Sequence, residues 1–145
     1  MDNKHLEYLK SCMGFMGHDQ ALSPVGKWIN GTLIFAEEGH VKFLFNVDPT
    51  WLNPSGTFHG GMAALLLDEV IGITVYSLGH VNFFTTVNLN LNYLSFALVG
   101  DEVMVESKIV RKGVAVMNVE ATIYKRNKIL VKASSNLVNT GRKTY

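Results

Sequence analysis

The chain has 145 residues, with 48% hydrophobic and 17% charged, so it is long enough to bury one core and is not a low-complexity or disordered segment. Lys plus Arg number 13 and Asp plus Glu 12, for a net charge of +1. That balance gives no footing to a nucleic acid or an anionic membrane surface, though two or three local cations would serve a small phosphorylated ligand. Cys12 is the one cysteine, which excludes an intrachain disulfide and a multi-cysteine metal cluster and fits a reducing compartment. The opening MDNKHLEYLK has no apolar stretch of the secretory kind. The longest apolar run, Met62 to Leu78, is interrupted by Asp68 and Glu69 and is too short for a membrane span. The expectation is one cytoplasmic domain over residues 1–145, with residues 1–27 as a helix and loop ahead of the main body.

Taken in order, residues 3–16 place Leu6, Leu9, Met13 and Met16 at helical spacing and predict a short amphipathic helix. Residues 18–27 read as loop. Residues 28–36 and 40–48 read as two strands joined through Glu37-Glu38-Gly39. TWLNPSGTFHGG, residues 50–61, is irregular backbone. The following MAALLLDEVIGITVYSL is apolar on nearly every face, the pattern of a helix enclosed by its surroundings. Strands follow. Val87, Leu89, Leu91 and Tyr93 alternate with Thr86, Asn88, Asn90 and Asn92, and residues 102–111, 114–125 and 129–139 are separated by short turns that imply antiparallel neighbours. The order is α+β: a strand pair, one buried helix, then about four long strands, which one antiparallel sheet wrapped around one long helix satisfies.

Chemistry centres on Asp68, midway along that apolar helix. Glu69 stands beside it, and one of the two could point to solvent at a gap in the sheet; burying the other unpaired costs several kcal/mol, roughly, so a sequence selected only for packing would not keep acids there. A desolvated carboxylate is a stronger base and nucleophile. The competing reading is an acid satisfied by backbone or favoured by the helix dipole. His59-Gly60-Gly61 stands where loop becomes helix. Free amides there attract an anion, and glycine lets a substrate approach closely, so an oxyanion could be stabilised; a tight turn explains the glycines equally well. Asp68 lies eight residues after Gly60, about 12 Å along a helix axis. One chain's Gly60 amide and Asp68 carboxylate therefore cannot touch one carbonyl group. If they act together, two subunits contribute, and a two-fold dimer with two interfacial sites follows.

Other candidates each have a structural alternative. Asn53 could bind substrate or water but more naturally holds its own turn. Thr86, on the asparagine face of its strand, could orient a water or simply favour β structure. His59 could act as a base, fix its loop or touch substrate. Trp51, Phe58, Phe83, Phe84 and Phe96 could line a pocket or fill the core. Arg111-Lys112, Lys125-Arg126-Lys128 and Arg142-Lys143 are strand-end cations, one group of which could meet the phosphates of a nucleotide-bearing substrate.

NPSGTFHGGMAALLLDEVIG, residues 53–72, and TTVNLNLNYLSFALVGD, residues 85–101, together resemble the hotdog-fold thioesterase superfamily, in its phenylacetate-degradation thioesterase-like branch. The pattern is Asn53, then His59-Gly60-Gly61, then an acid nine residues after that histidine. The resemblance implies a hotdog fold and hydrolysis of an acyl-CoA thioester. It makes Asp68 nucleophile or general base and Gly60 the oxyanion amide. Asn53 and His59 would come from the partner subunit, and Thr86 would position water. Gly61, Phe84, Arg111 and Lys112 are then candidates for substrate contact. It implies no metal and no redox cofactor, coenzyme A being part of the substrate, and a homodimer that pairs into a homotetramer. Phe96 departs from the family, where proline is frequent. A hydroxyacyl-thioester dehydratase and a non-catalytic acyl-CoA binder are the alternatives; a regulator of the latter kind lacks a DNA-binding segment here.

Overall fold

A computed structural model describes residues 2–15 and 19–143. Its elements are α1 (Lys4–Ser11), α2 (Pro24–Ile29), β1 (Thr32–Glu37), β2 (His40–Asn46), α3 (Gly60–Tyr76), β3 (Asn82–Tyr93), β4 (Glu102–Lys112), β5 (Val116–Lys125) and β6 (Lys128–Lys143). The strands form one antiparallel sheet in the order β1-β2-β4-β5-β6-β3. The sheet curls around α3, giving the α+β hotdog arrangement expected from the sequence. Leu66, Leu67, Val70 and Ile71 of α3 are fully buried against Val41, Val103, Val105, Met117 and Ile123. No helix among the described residues is long and apolar enough to cross a membrane.

The N-terminal segment differs from expectation. The first helix stops at Ser11, and the chain turns at Gly14 with φ +80°, a value that suits glycine. Leu9 is buried but Met13 is exposed, and Met16, like His18, lies outside the described residues. Residues 24–29, expected as loop and strand, form α2 instead. Ser23 caps its start by accepting from the Gly26 amide, Pro24 occupies the first turn, and Asn30 ends it at φ 51°.

α3 is not enclosed on every side. Ala63, Leu66, Leu67, Val70, Ile71, Thr74 and Val75 are buried, while Leu65, Asp68 and Tyr76 are only half-buried and Gly61 and Gly72 are exposed. These five share one stripe of the helix, spaced by three or four residues. The stripe lies beside β3, which among the described residues pairs only with β6 and so presents a free edge of twelve residues. Expecting a fully buried helix from one chain was therefore wrong along this stripe.

On the outer face of the sheet, Glu106 lies 2.8 Å from His40 Nε2, 3.3 Å from Lys108 Nζ and 3.9 Å from Lys42 Nζ. Burial opposes its ionisation, but the His40 and Lys108 hydrogen bonds and the Lys42 charge outweigh burial and hold the carboxyl below its usual value. A lowered folded-state pKa stabilises above the unfolded-state value, and that stability is lost as pH falls through the folded value. Glu106→Gln is expected to lower stability at neutral pH by about 1 kcal/mol, given partly exposed partners. In urea titrations the gap between variant and parent should shrink below about pH 4.

Candidate active site

Asp68 projects from the middle of α3 toward β3, where its Oδ1 accepts a hydrogen bond from Thr86 Oγ1 at 2.8 Å. That contact depends on a bulge. Thr86 pairs with Leu137 but Asn88 pairs with Asn136, so Val87 is one residue extra on β3. The bulge shifts the side-chain alternation, placing Thr86 on the helix side together with Leu89, Leu91 and Tyr93. Thr86 is thus not on the asparagine face that strict alternation assigned to it. Asn88 stays outward, where its side-chain oxygen accepts from the Asn136 backbone and side-chain amides at 3.1 Å each. Asp68 is half-buried within one chain, not sealed in the core as its apolar neighbours suggested. Glu69 turns the other way and accepts from Ser23 Oγ at 2.6 Å, which ties α3 to the cap of α2.

The helix start is assembled from several anchors. The His59 amide donates to Trp51 O at 2.8 Å, and the Phe58 amide to Ala97 O at 2.9 Å. His59 is exposed and caps α3 through Nδ1, which accepts from the Gly61 amide at 2.9 Å. The Gly60 amide has no partner among the described residues. Tyr93 donates its hydroxyl to Gly60 O at 2.7 Å and lays its ring over that glycine, where an added Cβ would sit 3.2 Å from ring carbons. Tyr93 was not singled out from the sequence. Its alternation with Leu89 and Leu91 put it on the correct face, but its contact with Gly60 depends on the sheet wrapping around α3. Asn53 holds its own loop: its side-chain oxygen accepts from the Ser55 and Thr57 amides, and its nitrogen donates to Thr57 Oγ1 at 2.8 Å.

Within one chain, Gly60 and Asp68 stand on one helix about 12 Å apart. A groove of about 430 Å³ opens at Asp68 and Thr86 and runs between α3 and the first half of β3, past Gly72, Ile73 and Phe84 to His80. Phe84 is buried in its wall and the more exposed Phe83 also lines it; Trp51 and Phe58 are buried in the core, and Phe96 is exposed. At the end of β4, Lys112 pairs with Glu38 at 3.2 Å, and Arg111 is exposed without an ion pair among the described residues.

A carboxylate beside a hydroxyl in an open groove, with an unpartnered amide at a helix start, is the equipment of acyl transfer to water. Human acyl-coenzyme A thioesterase 13 is 27% identical over 115 residues, covering 78% of this chain and 76% of that protein. The Streptococcus mutans protein smu.793, solved bound to acetyl CoA, superposes with a TM-score of 0.74 at 26% identity, over 79% of this chain and 92% of that one. The Escherichia coli PaaI protein, from the phenylacetic acid degradation operon, has a TM-score of 0.82 over 95% of this chain and 97% of its own; at 15% identity it speaks for the fold. Residues 55–132, more than half the chain, match the model of the thioesterase superfamily, a segment that holds His59, Gly60, Asp68 and Thr86. The chain belongs to the thioesterase superfamily, and it is a thioester hydrolase.

Proposed function

We propose that the protein hydrolyses an acyl-CoA thioester to the free acid and coenzyme A, at a site shared by two subunits. The observation that carries this reading is the Thr86–Asp68 hydrogen bond at the mouth of the groove. Oδ1 of Asp68 is occupied by the Thr86 hydroxyl, which leaves Oδ2 for a proton. The Thr86 oxygen keeps lone pairs that can accept from a water lying beside the carboxylate. That water attacks the thioester carbon while Asp68 takes its proton, acting as general base. The carbonyl electrons move onto oxygen, and the Gly60 amide of a partner subunit stabilises the resulting oxyanion. Collapse expels the coenzyme A thiolate, a good leaving group, which recovers the proton from Asp68.

Two features support a second copy. The half-covered stripe of α3 and the free edge of β3 adjoin one another, and a long unpaired edge is ordinarily covered. A two-fold partner running antiparallel brings its helix start toward Asp68 and completes the burial that one chain leaves unfinished. His59 and Asn53 then serve by holding that helix start and its loop in place. Arg111, without an ion pair among the described residues, is better placed than Lys112 to meet coenzyme phosphates.

Thiol release from short, medium, long and aromatic acyl-CoAs tests the reading, and turnover on at least one class is the expected result. No release from any of them by folded protein would count against it. Thr86→Ala should lower kcat about tenfold on the best substrate, with Thr86→Ser near the parent, because one neutral hydrogen bond is lost or kept. Equal loss in both variants would make Thr86 a packing residue only.

A further inference from the structure

Successive peptide groups at the start of α3 are each fixed by a different part of the fold. The peptide joining Phe58 to His59 is held through the His59 amide, which donates to Trp51 O at 2.8 Å. The next peptide, into Gly60, is held at its oxygen, because His59 O accepts from the Ala63 amide at 3.0 Å. The peptide joining Gly60 to Gly61 is held at both edges. Its oxygen accepts from the Tyr93 hydroxyl at 2.7 Å, and its N–H donates to His59 Nδ1 at 2.9 Å. In these last two peptides the Gly60 N–H alone has no partner among the described residues. Glycine has no Cβ to restrict its backbone, so an unheld Gly60 would let that N–H swing.

Tyr93 is mounted to supply one of these holds. Its backbone pairs with Val131, and the amide of the following Leu94 donates to Leu130 O at 2.8 Å. Further along the same segment, Ala97 O accepts from the Phe58 amide at 2.9 Å. One stretch of chain thus grips the loop on both sides of His59. The Tyr93 ring is exposed, so removing its hydroxyl leaves the core untouched.

Resting on the hydrolase reading above, we propose that Tyr93 is a positioning residue of that reaction. Its hydroxyl fixes the Gly60–Gly61 peptide, which aims the Gly60 N–H before substrate arrives at the oxygen that becomes negative. A donor already in place needs no reorientation as the charge forms. The hydroxyl proton is committed to Gly60 O, so Tyr93 acts through Gly60 and not on the substrate.

Tyr93→Phe keeps the ring and removes the hydroxyl. The test measures thiol release by Tyr93→Phe, Gly60→Pro and the double variant, with NMR relaxation of the backbone amides in the parent and Tyr93→Phe. Tyr93→Phe is expected to lower kcat about tenfold, the worth of one hydrogen bond, with KM and melting temperature near those of the parent. On the Gly60→Pro background, where the N–H is already gone but Gly60 O remains, the same change should cost less than about twofold. The order parameter of the Gly60 amide should fall from about 0.85 toward about 0.6. An unchanged kcat in Tyr93→Phe overturns the proposal, whatever the melting temperature does. Equal losses on both backgrounds also overturn it, by placing the hydroxyl on the substrate. So does a loss of kcat with the Gly60 amide as rigid as before. If the parent hydrolyses no acyl-CoA, relaxation decides alone: a loosened Gly60 amide keeps Tyr93 as its anchor while the hydrolase reading fails, and an unchanged one removes both.

Discussion

Asp68→Asn is expected to lower kcat by about a hundredfold to ten-thousandfold on whichever acyl-CoA the parent hydrolyses best, with KM little changed. The substitution is nearly isosteric, and its side-chain oxygen can still accept the Thr86 hydroxyl. What it cannot do is take a proton from water. Because Asp68 is half-buried and its side chain makes just this one hydrogen bond among the described residues, the change should cost stability only within about 1 kcal/mol. Thermal unfolding followed by circular dichroism, run beside the thiol assay, separates the two effects. A large fall in melting temperature with activity retained would make Asp68 a structural acid, satisfied by its surroundings rather than poised for chemistry.

Gly60→Pro is expected to lower kcat by about a hundredfold to a thousandfold, the loss that follows removal of one oxyanion donor. Proline suits the first helical position, where the amide has no intrahelical partner. The preceding His59, at φ −65° and ψ 132°, already has the extended backbone that a following proline requires. The substitution therefore deletes one N–H and leaves α3 able to form. The obstacle is Tyr93, whose ring lies over Gly60; its exposure lets it shift by the few tenths of an ångström needed. Gly60→Ala is the control. It makes the same demand on Tyr93 but keeps the amide, and should lose less than about tenfold. Equal losses in the two variants, measured as kcat on one substrate, would shift the role of Gly60 from its amide to its lack of a side chain.

Much of this architecture was legible in the residues because its periodicities are strong. The long apolar run at 62–78 became α3, and the alternating segments became β2, β3, β4, β5 and β6. The loop role of Asn53 was equally readable, since a side chain between Leu52 and Pro54 has a turn of its own to satisfy. α2 was missed because six residues are too few for a periodic signal, although Ser23-Pro24 is a helix-start pairing. The bulge at Val87 was invisible, since one inserted residue leaves Val87, Leu89, Leu91 and Tyr93 alternating on paper while it re-aims Thr86. That one of the two adjacent acids, Asp68 or Glu69, could face a gap in the sheet was legible, but not which one. Hydropathy reports that a helix will be covered, not which chain covers it. The role of Tyr93 depends on β3 lying at the sheet edge beside β6, a neighbour far along the sequence.

The shared site is tested most directly by co-expressing Asp68→Asn and Gly60→Pro chains under different tags and purifying the mixed dimer through both. Each variant alone is expected to be nearly inactive. In the mixed dimer one site combines an intact Asp68 with an intact Gly60 from the other chain, while the second site has neither. The mixed dimer should therefore recover roughly half of the parent activity. Activity that stays at the level of the single variants in a correctly formed mixed dimer would contradict a site built from two subunits.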